Sequence, residues 1–295
     1  MANYIGIDLG GTNVRVILID EDNNILAERL SPSYAQEGRE YVLNNLYQMI
    51  ESIDGYDQAK GIGIGAPGPI VDGVMQISTN LIGFKEFPLA KTFEERYHIP
   101  TFVDNDANVA GLAEALIGAG KNHHIVYYFT HSTGIGGVLV IDGKILSGRH
   151  GYAGEIANII VDRNGDTFNC LNKGAVENLA SGTAIGKEGV KYNIGSCAKD
   201  VFDQARLGDE KALMIVDKMV EDMAIMMSAI AHVCDPDCFV IGGGCSKASD
   251  VYFDKLKKSY YEKVHVGMRD IEILNTEIKE PGALGAALLC KSLLK

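Results

Sequence analysis

Long apolar runs are missing from this chain: no stretch is long enough to span a bilayer as a helix, so the sequence gives no expectation of a membrane segment. The basic, apolar and small-residue succession of a secretory signal is missing too, since Met1 leads straight into an apolar, strand-like segment. Cysteines stand at 170, 197, 234, 238, 245 and 290 without framework spacing. That excludes a disulfide scaffold and fits packed or idle thiols in a reducing compartment, so the expected location is the cytoplasm. No long Lys/Arg cluster is present, and a net charge of −12 repels phosphate backbones, which excludes nucleic acid as an expected partner.

What is there is ordinary for a folded protein: 46% hydrophobic and 22% charged residues over 295 positions. That length exceeds what one core usually serves, so two α/β domains with a ligand cleft between them are expected. Tyr4 to Leu9, Val14 to Asp20 and Ile25 to Leu30 read as an antiparallel meander, with Gly10-Gly11-Thr12-Asn13 in its first turn. Arg39 to Ile53 has a helical apolar period, and Gly61 to Gly65 reads as a strand. Pro88 opens a helix, Thr101 to Asp104 is a short strand, and Asn105 to Ile117 is an alanine-rich helix stopped by Gly118. The first domain is placed at residues 1–118. His124 to Thr130, Gly136 to Ile141 and Lys144 to Leu146 then repeat the three-strand opening, and the second domain is placed at 119–280. A long helix from about Asp209 to Val233 carries a methionine stripe that reads as core packing. A strand from Cys238 to Ile241 enters Gly242-Gly243-Gly244, and Pro281 opens a last helix at 281–295.

Several motifs have residue types suited to phosphate and sugar chemistry. In Asp8-Leu9-Gly10-Gly11-Thr12 the glycines let backbone amides approach a phosphate, Thr12 adds a hydroxyl donor, and Asp8 suits a hydrated Mg²⁺; a plain hairpin turn accounts for the pair as well. Thr133-Gly134-Ile135-Gly136-Gly137 occupies the equivalent turn of the second half, so the two together read as a polyphosphate clamp. Gly242, Gly243 and Gly244 offer a flat backbone surface for an adenine or ribose. Asp106, at a strand-to-helix junction, is either a helix N-cap or a base that accepts a hydroxyl proton during phosphoryl transfer. Asn105 beside it can donate to a sugar. Asn80, Glu155 and Glu177 are amide and carboxylate groups of the kind that bind vicinal hydroxyls, although each also suits a surface or capping position. His232, Cys234 and Cys238 read as the end of a buried helix rather than a metal cluster.

Taken in order, Asp8-Leu9-Gly10-Gly11-Thr12, Gly65-Ala66-Pro67-Gly68-Pro69, Asn105-Asp106-Ala107-Asn108, Thr133-Gly134-Ile135-Gly136-Gly137, Gly154-Glu155-Ile156 and Gly242-Gly243-Gly244 resemble the ROK family of repressors, open reading frames and kinases, over essentially the whole chain. The resemblance implies an actin-like ATPase fold of the ribonuclease H-like type, with the last helix packing back on the N-terminal domain. It also implies an ATP- and Mg²⁺-dependent hexose kinase, often acting on the 6-hydroxyl of glucose. By position it puts the base on Asp106, sugar contacts on Asn80, Asn105, Glu155 and Glu177, phosphate contacts on Gly10, Gly11, Thr12 and Thr133, and the adenosine side near Gly242, Gly243 and Gly244. Many members follow Gly-Glu-Ile with Gly-His, where the histidine touches sugar and joins three cysteines around zinc; here Asn158 replaces it and only Cys170 remains of the thiols. No structural zinc is therefore expected. Asn158 becomes a candidate sugar contact, and the preferred sugar stays open among glucose, N-acetylmannosamine, mannose, fructose and a β-glucoside. His131-Ser132 stands where related kinases commonly carry Leu-Gly. A sugar-sensing repressor is the competing function, disfavoured by the expectation that no helix-turn-helix precedes the first strand. A symmetric homodimer is the default assembly.

Overall fold

The computed structural model describes residues 2–77, 81–168 and 170–294. It divides into two compact units: Met1–Gly118 with Gly143–Ala153 and Ile278–Lys295, and Ala119–Asp142 with Gly154–Glu277.

In the first unit β1 (Asn3–Leu9), β2 (Asn13–Ile19) and β3 (Ile25–Pro32) form the meander expected from the two polar turns. Helix α1 (Arg39–Glu51) turns Val42, Leu43, Leu46, Met49 and Ile50 inward, as its apolar period requires. Strand β4 (Ala59–Ala66) pairs parallel to β1, and a two-residue hairpin, β5 (Ile70–Val71) and β6 (Val74–Met75), follows it. After α2 (Leu89–Tyr97), β7 (Thr101–Asn105) pairs parallel to β4 and runs directly into α3 (Asp106–Ile117). The sheet order is β3-β2-β1-β4-β7.

The segment Gly61-Ile62-Gly63-Ile64-Gly65 shows why this sheet accepts helices so closely. Strand alternation sends Ile62 and Ile64 to one face, where both are fully buried, and leaves the other face without side chains. A Cβ on Gly63 would stand 1.7 Å from the Ala286 carbonyl oxygen of the last helix, and one on Gly6, its register partner in β1, would stand 2.1 Å from that of Ala283. A Cβ on Gly65 would meet Val109 of α3 at 2.6 Å. Three alternating glycines thus form the floor on which α3 and the C-terminal helix lie.

The second unit repeats the plan. Strands β8 (Ile125–His131) and β9 (Ile135–Ile141) form a hairpin. The short β10 (Lys144–Ile145) falls in the segment grouped with the first unit. Helices α4 (Val176–Ala180), α5 (Gly182–Lys191), α6 (Ala198–Arg206) and α7 (Glu210–Cys234) follow. Then come β11 (Cys238–Gly242), α8 (Ser249–Tyr261), β12 (Glu272–Asn275) and finally α9 (Pro281–Leu293), the helix that lies on the glycine floor of the first unit. Strands β8, β11 and β12 run parallel with β9 antiparallel beside β8, matching β1, β4, β7 and β2. Met219, Met223, Met226 and Met227 of α7 are buried in the core, as the methionine stripe predicts. Helices α4 to α6 and α8 are left unassigned by the sequence reading; α5 contains three glycines, which weaken its helical signature, and α4 is only five residues long. Among the described residues no helix is long and apolar enough to cross a membrane.

Candidate active site

The first unit gathers its acidic residues through strand register. Asp8 pairs across the sheet with Arg15 on one side and Gly65 on the other, and Gly65 pairs with Asp104. With no side chain on Gly65, an ideal Cβ there lies 3.6 Å from the Asp106 Cα, so the start of α3 sits directly over the strand. Asp8 and Asp106 therefore interact although 98 positions of sequence order separate them. Burial first, and then the Asp106 charge, push Asp8 up to about 6, against the pull of Arg15. Burial also raises Asp106, opposed by the backbone amide of Ala107. Asp104 is raised by burial as well, while its Oδ1 accepts from Asn108 Nδ2 at 2.6 Å and from the Asn105 amide at 2.7 Å.

Asp106 is not the N-cap of α3. That position belongs to Asn105, whose Oδ1 accepts from the Ala107 amide at 2.9 Å while its Nδ2 donates to the Gly68 carbonyl at 3.2 Å. Asp106 Oδ1 also accepts from Ala107, at 2.8 Å. With the capping position filled by its neighbour, Asp106 has a second carboxylate oxygen, and the residue is only half-buried.

Gly10, Gly11 and Thr12 form the β1–β2 turn, with Gly11 and Thr12 exposed and the Gly10 amide donating to Asn13 O at 3.0 Å. Ser33 ties down the turn's carbonyls, its amide donating to Thr12 O and its hydroxyl to Gly11 O, both at 2.8 Å. The start of α9 abuts Asp8: a Cβ on Gly282 would lie 2.4 Å from Asp8 Oδ2. The helix N-terminus favours negative charge there. Sequence reasoning used Pro281 only as a helix start, and no local signal marks the approach of Gly282 to Asp8. Asn80 lies outside the described residues.

In the second unit, Thr133 and Gly134 form the β8–β9 turn. Gly182 donates its amide to Ser132 O at 2.7 Å, and the Thr183 hydroxyl donates to Thr133 O at 2.8 Å. Glu177, on α4, accepts the Ile135 amide on Oε2 at 2.8 Å. Glu155 and Asn158 flank a short turn and are both exposed. Asn158 Oδ1 accepts from the Asn172 amide at 2.7 Å, which leaves its NH₂ as the group able to meet a ligand.

The three glycines at the end of β11, Gly242, Gly243 and Gly244, differ in their surroundings. A Cβ on Gly242 would meet the Tyr128 hydroxyl at 2.4 Å, and Gly243, at φ +87°, would meet the His131 carbonyl oxygen at 2.5 Å. Both are needed for internal packing. Gly244 alone has open space, with its nearest neighbour at 3.6 Å, and it lines a cavity of about 630 Å³ together with Thr133, Thr183, Phe202, Arg206 and Lys247. This volume suits a nucleoside. Of the lining residues, the sequence reading singles out Thr133, Gly244 and, as a departure from related kinases, Ser132; it gives no role to Phe202, Arg206 or Lys247. Phe202 stacks on Tyr252 with centroids 5.8 Å apart, and Arg206 is held by Asp250 at 2.6 and 2.7 Å and by Asp203 at 2.7 Å. Among the described residues no group of three or more His, Cys, Asp or Glu could hold a metal ion.

His131 does not face the turn. It is fully buried, its Nε2 donating to Ala180 O at 2.8 Å, and burial lowers it to about 4. A base lowered on folding stabilises above its unfolded value of 6.5, and that stability is lost as pH falls through the window down to about 4. Up to roughly 3 kcal/mol is expected at the bottom of this window. Urea titrations at pH 7 and pH 4.5 should show a smaller acid loss in His131→Gln than in the parent, and equal losses would count against this assignment.

The model of the ROK family matches residues 4–292. A glucokinase from Thermotoga maritima is 34% identical over 307 aligned positions, covering 97% of this chain and 96% of that protein. An N-acetylmannosamine kinase from Shigella boydii serotype 18 is 31% identical over 290 positions, covering 97% and 98%. The crystal structure of a ROK family glucokinase from Streptomyces griseus in complex with glucose and AMPPNP superposes with a TM-score of 0.81 at 27% identity, covering 99% of this chain and 100% of that one. The α/β architecture is that of the actin-like ATPases. With its sheet order, its paired glycine turns and a family match running almost end to end, this chain belongs to the ROK family.

Proposed function

We propose that this protein is an ATP-dependent sugar kinase that phosphorylates a hexose hydroxyl, with glucose to glucose 6-phosphate as the leading reaction. The observation that carries the mechanism is Asp106: a half-buried carboxylate, raised by burial, beside an asparagine that fills the helix cap in its place. The sugar oxygen attacks the γ-phosphorus, its proton passes to Asp106, and the bond to the β–γ bridging oxygen breaks to release ADP. A raised carboxylate is the stronger base for that proton. Gly10, Gly11 and Thr12 in one turn and Thr133 and Gly134 in the other are read as the phosphate-binding elements, with Gly244 on the adenosine side and Gly242 and Gly243 shaping its support. Asn80, Asn105, Glu155, Asn158 and Glu177 are read as the sugar-binding set.

Mg²⁺ fits this set through Asp8, a hard oxygen donor, and when bound with ATP it neutralises phosphate charge. Asp8 would hold it through water. The cytoplasm and a homodimer remain the expected location and assembly.

The 31% identity to an N-acetylmannosamine kinase favours a second substrate reading within the same chemistry. Release of ADP should be followed with glucose, N-acetylmannosamine, mannose, fructose and a β-glucoside. Turnover with glucose at least tenfold above the others supports the leading reading, and preference for N-acetylmannosamine supports the second. Absence of sugar-dependent ADP release across the panel, with specific operator binding instead, would favour the regulator.

A further inference from the structure

The β8–β9 turn is fixed almost entirely by one segment of the same unit. Residues 177–183 supply the Gly182 amide to Ser132 O, the Thr183 amide and hydroxyl to Thr133 O, and the Glu177 carboxylate to the Ile135 amide. The turn closes on itself through Ser132 N to Gly134 O at 2.9 Å. Of the contacts named, only that of Glu177 comes from a carboxylate side chain, and a hydrogen bond to a carboxylate is the stronger sort.

Gly134 reveals what that carboxylate costs the sequence. A Cβ there would lie 2.6 Å from Glu177 Oε2, and the glycine has no positive φ that would require it on backbone grounds. The residue is glycine because a carboxylate occupies the space, not only because a phosphate must come near. The ring of contacts behind Glu177 is equally specific. Helix α4 is held by Val176 N to Ile159 O at 2.8 Å and by Asn178 Nδ2 to Asn172 O at 2.9 Å, and Asn172 is in turn bound by Asn158. Two residues read as sugar contacts, Asn158 and Glu177, thereby sit at the two ends of one hydrogen-bonded chain that terminates on the turn read as phosphate-binding.

We infer that Glu177 is a positioning residue for the nucleotide side of the reaction: its Oε2 sets the Thr133–Ile135 turn in the shape that receives phosphate. Its function therefore extends beyond sugar recognition. The inference rests on the kinase reading for the identity of the turn, but the link between carboxylate and turn stands on geometry alone. Its consequence is that one carboxylate serves both sites: Oε2 is bound to the turn, and the sugar reading of Glu177 falls to Oε1. Binding of sugar and of nucleotide would then be coupled reciprocally.

Hydrogen exchange of the apo protein across residues 131–137 tests the link without any substrate. In Glu177→Ala the Ile135 amide should exchange at least tenfold faster than in the parent, and Glu177→Gln, whose side-chain carbonyl still accepts the bond, should restore slow exchange. Binding of AMPPNP in the absence of sugar should weaken about tenfold in Glu177→Ala, the middle of the range for coupled sites, and far less in Glu177→Gln. If Glu177→Ala exchanges at the parental rate, or binds AMPPNP as the parent does, the inference is overturned and Glu177 is a sugar ligand only. Should Glu177→Ala fail to fold, Gly134→Ala carries the test, because its methyl group displaces the carboxylate from the other side: faster Ile135 exchange supports the link, and parental exchange overturns it. If no sugar turns over and AMPPNP does not bind the parent, the kinase reading has failed, while the exchange result still decides the link.

Discussion

Asp106→Asn should lower kcat for sugar phosphorylation by roughly 10²- to 10⁴-fold, the usual contribution of a positioned general base. The substitution keeps volume and hydrogen-bonding shape, and the helix cap belongs to Asn105, so α3 should stay intact. The loss should therefore appear in kcat, with the KM for sugar and for ATP changed several-fold at most. The pH dependence has a definite sign. Asp106 must be ionised to accept a proton, and burial raises it, so kcat/KM should climb with pH through a value above the ordinary carboxylate range. Asp8, at about 6, adds a second group that ionises as pH rises toward neutrality. The acid limb of the profile should thus lie above the ordinary aspartate value, and a parent enzyme fully active at pH 4 would contradict this assignment. Ordinary activity of Asp106→Asn would remove Asp106 from the mechanism.

Gly63→Ala should produce one of the largest stability losses of any single methyl added to the first unit, matched by Gly285→Ala, whose Cβ would stand 1.7 Å from the Val109 carbonyl oxygen. The new Cβ at position 63 would stand 1.7 Å from the Ala286 carbonyl oxygen and 2.5 Å from its carbon, both backbone atoms with no rotamer to move aside. Overpacking of a close-packed interior usually costs about 1–3 kcal/mol and sometimes more; a clash with a helix backbone belongs at the upper end. Urea denaturation should show about 3 kcal/mol or more lost, and Gly6→Ala, whose Cβ meets Ala283 O at 2.1 Å, should behave similarly. Gly38→Ala is a useful contrast. Nothing lies within 4 Å of its Cβ, although its φ of +92° adds backbone strain of its own. Activity should fall together with stability in Gly63→Ala, because α9 also carries Gly282 against Asp8. A stable, fully active Gly63→Ala protein would mean that α9 does not rest on the glycine floor.

Much of the architecture is legible in local sequence. The two meander turns, the apolar period of α1, the Pro281 start of α9 and the Gly118 stop of α3 are short-range signals, and each appears in the structure within a few residues of its expected place. Glycine needs a longer view. Gly61, Gly63 and Gly65 read simply as a strand, because alternation of glycine with isoleucine says nothing about which helix will cover the bare face. Gly242 and Gly243 look from sequence like a ligand surface; in the structure a Cβ on either would strike Tyr128, the Thr130 side chain or the His131 carbonyl, so packing also accounts for these glycines, whereas Gly244 borders the cavity. Asp106 looks like a cap until Asn105 is seen to occupy that position. The lining of the cavity by Phe202, Arg206 and Lys247 has no sequence signature at all, since an amphipathic helix such as α6 displays the same pattern whichever groove its partly exposed edge borders.

By itself the sequence determined the periodicities, the turns and the chemical types available: carboxylates after strands, glycines in paired hairpins, amides near short helices. These follow from interactions within a few residues, which the local chain enforces wherever it lies. Only the tertiary structure decided which of them meet. Asp8 and Asp106 come together because parallel register aligns β1, β4 and β7 and a bare Gly65 lets α3 descend onto them. Glu177 reaches Ile135, 42 positions away, because α4 is anchored beside the β8–β9 turn. Such contacts depend on register and on helix packing over missing side chains, and no local pattern encodes either.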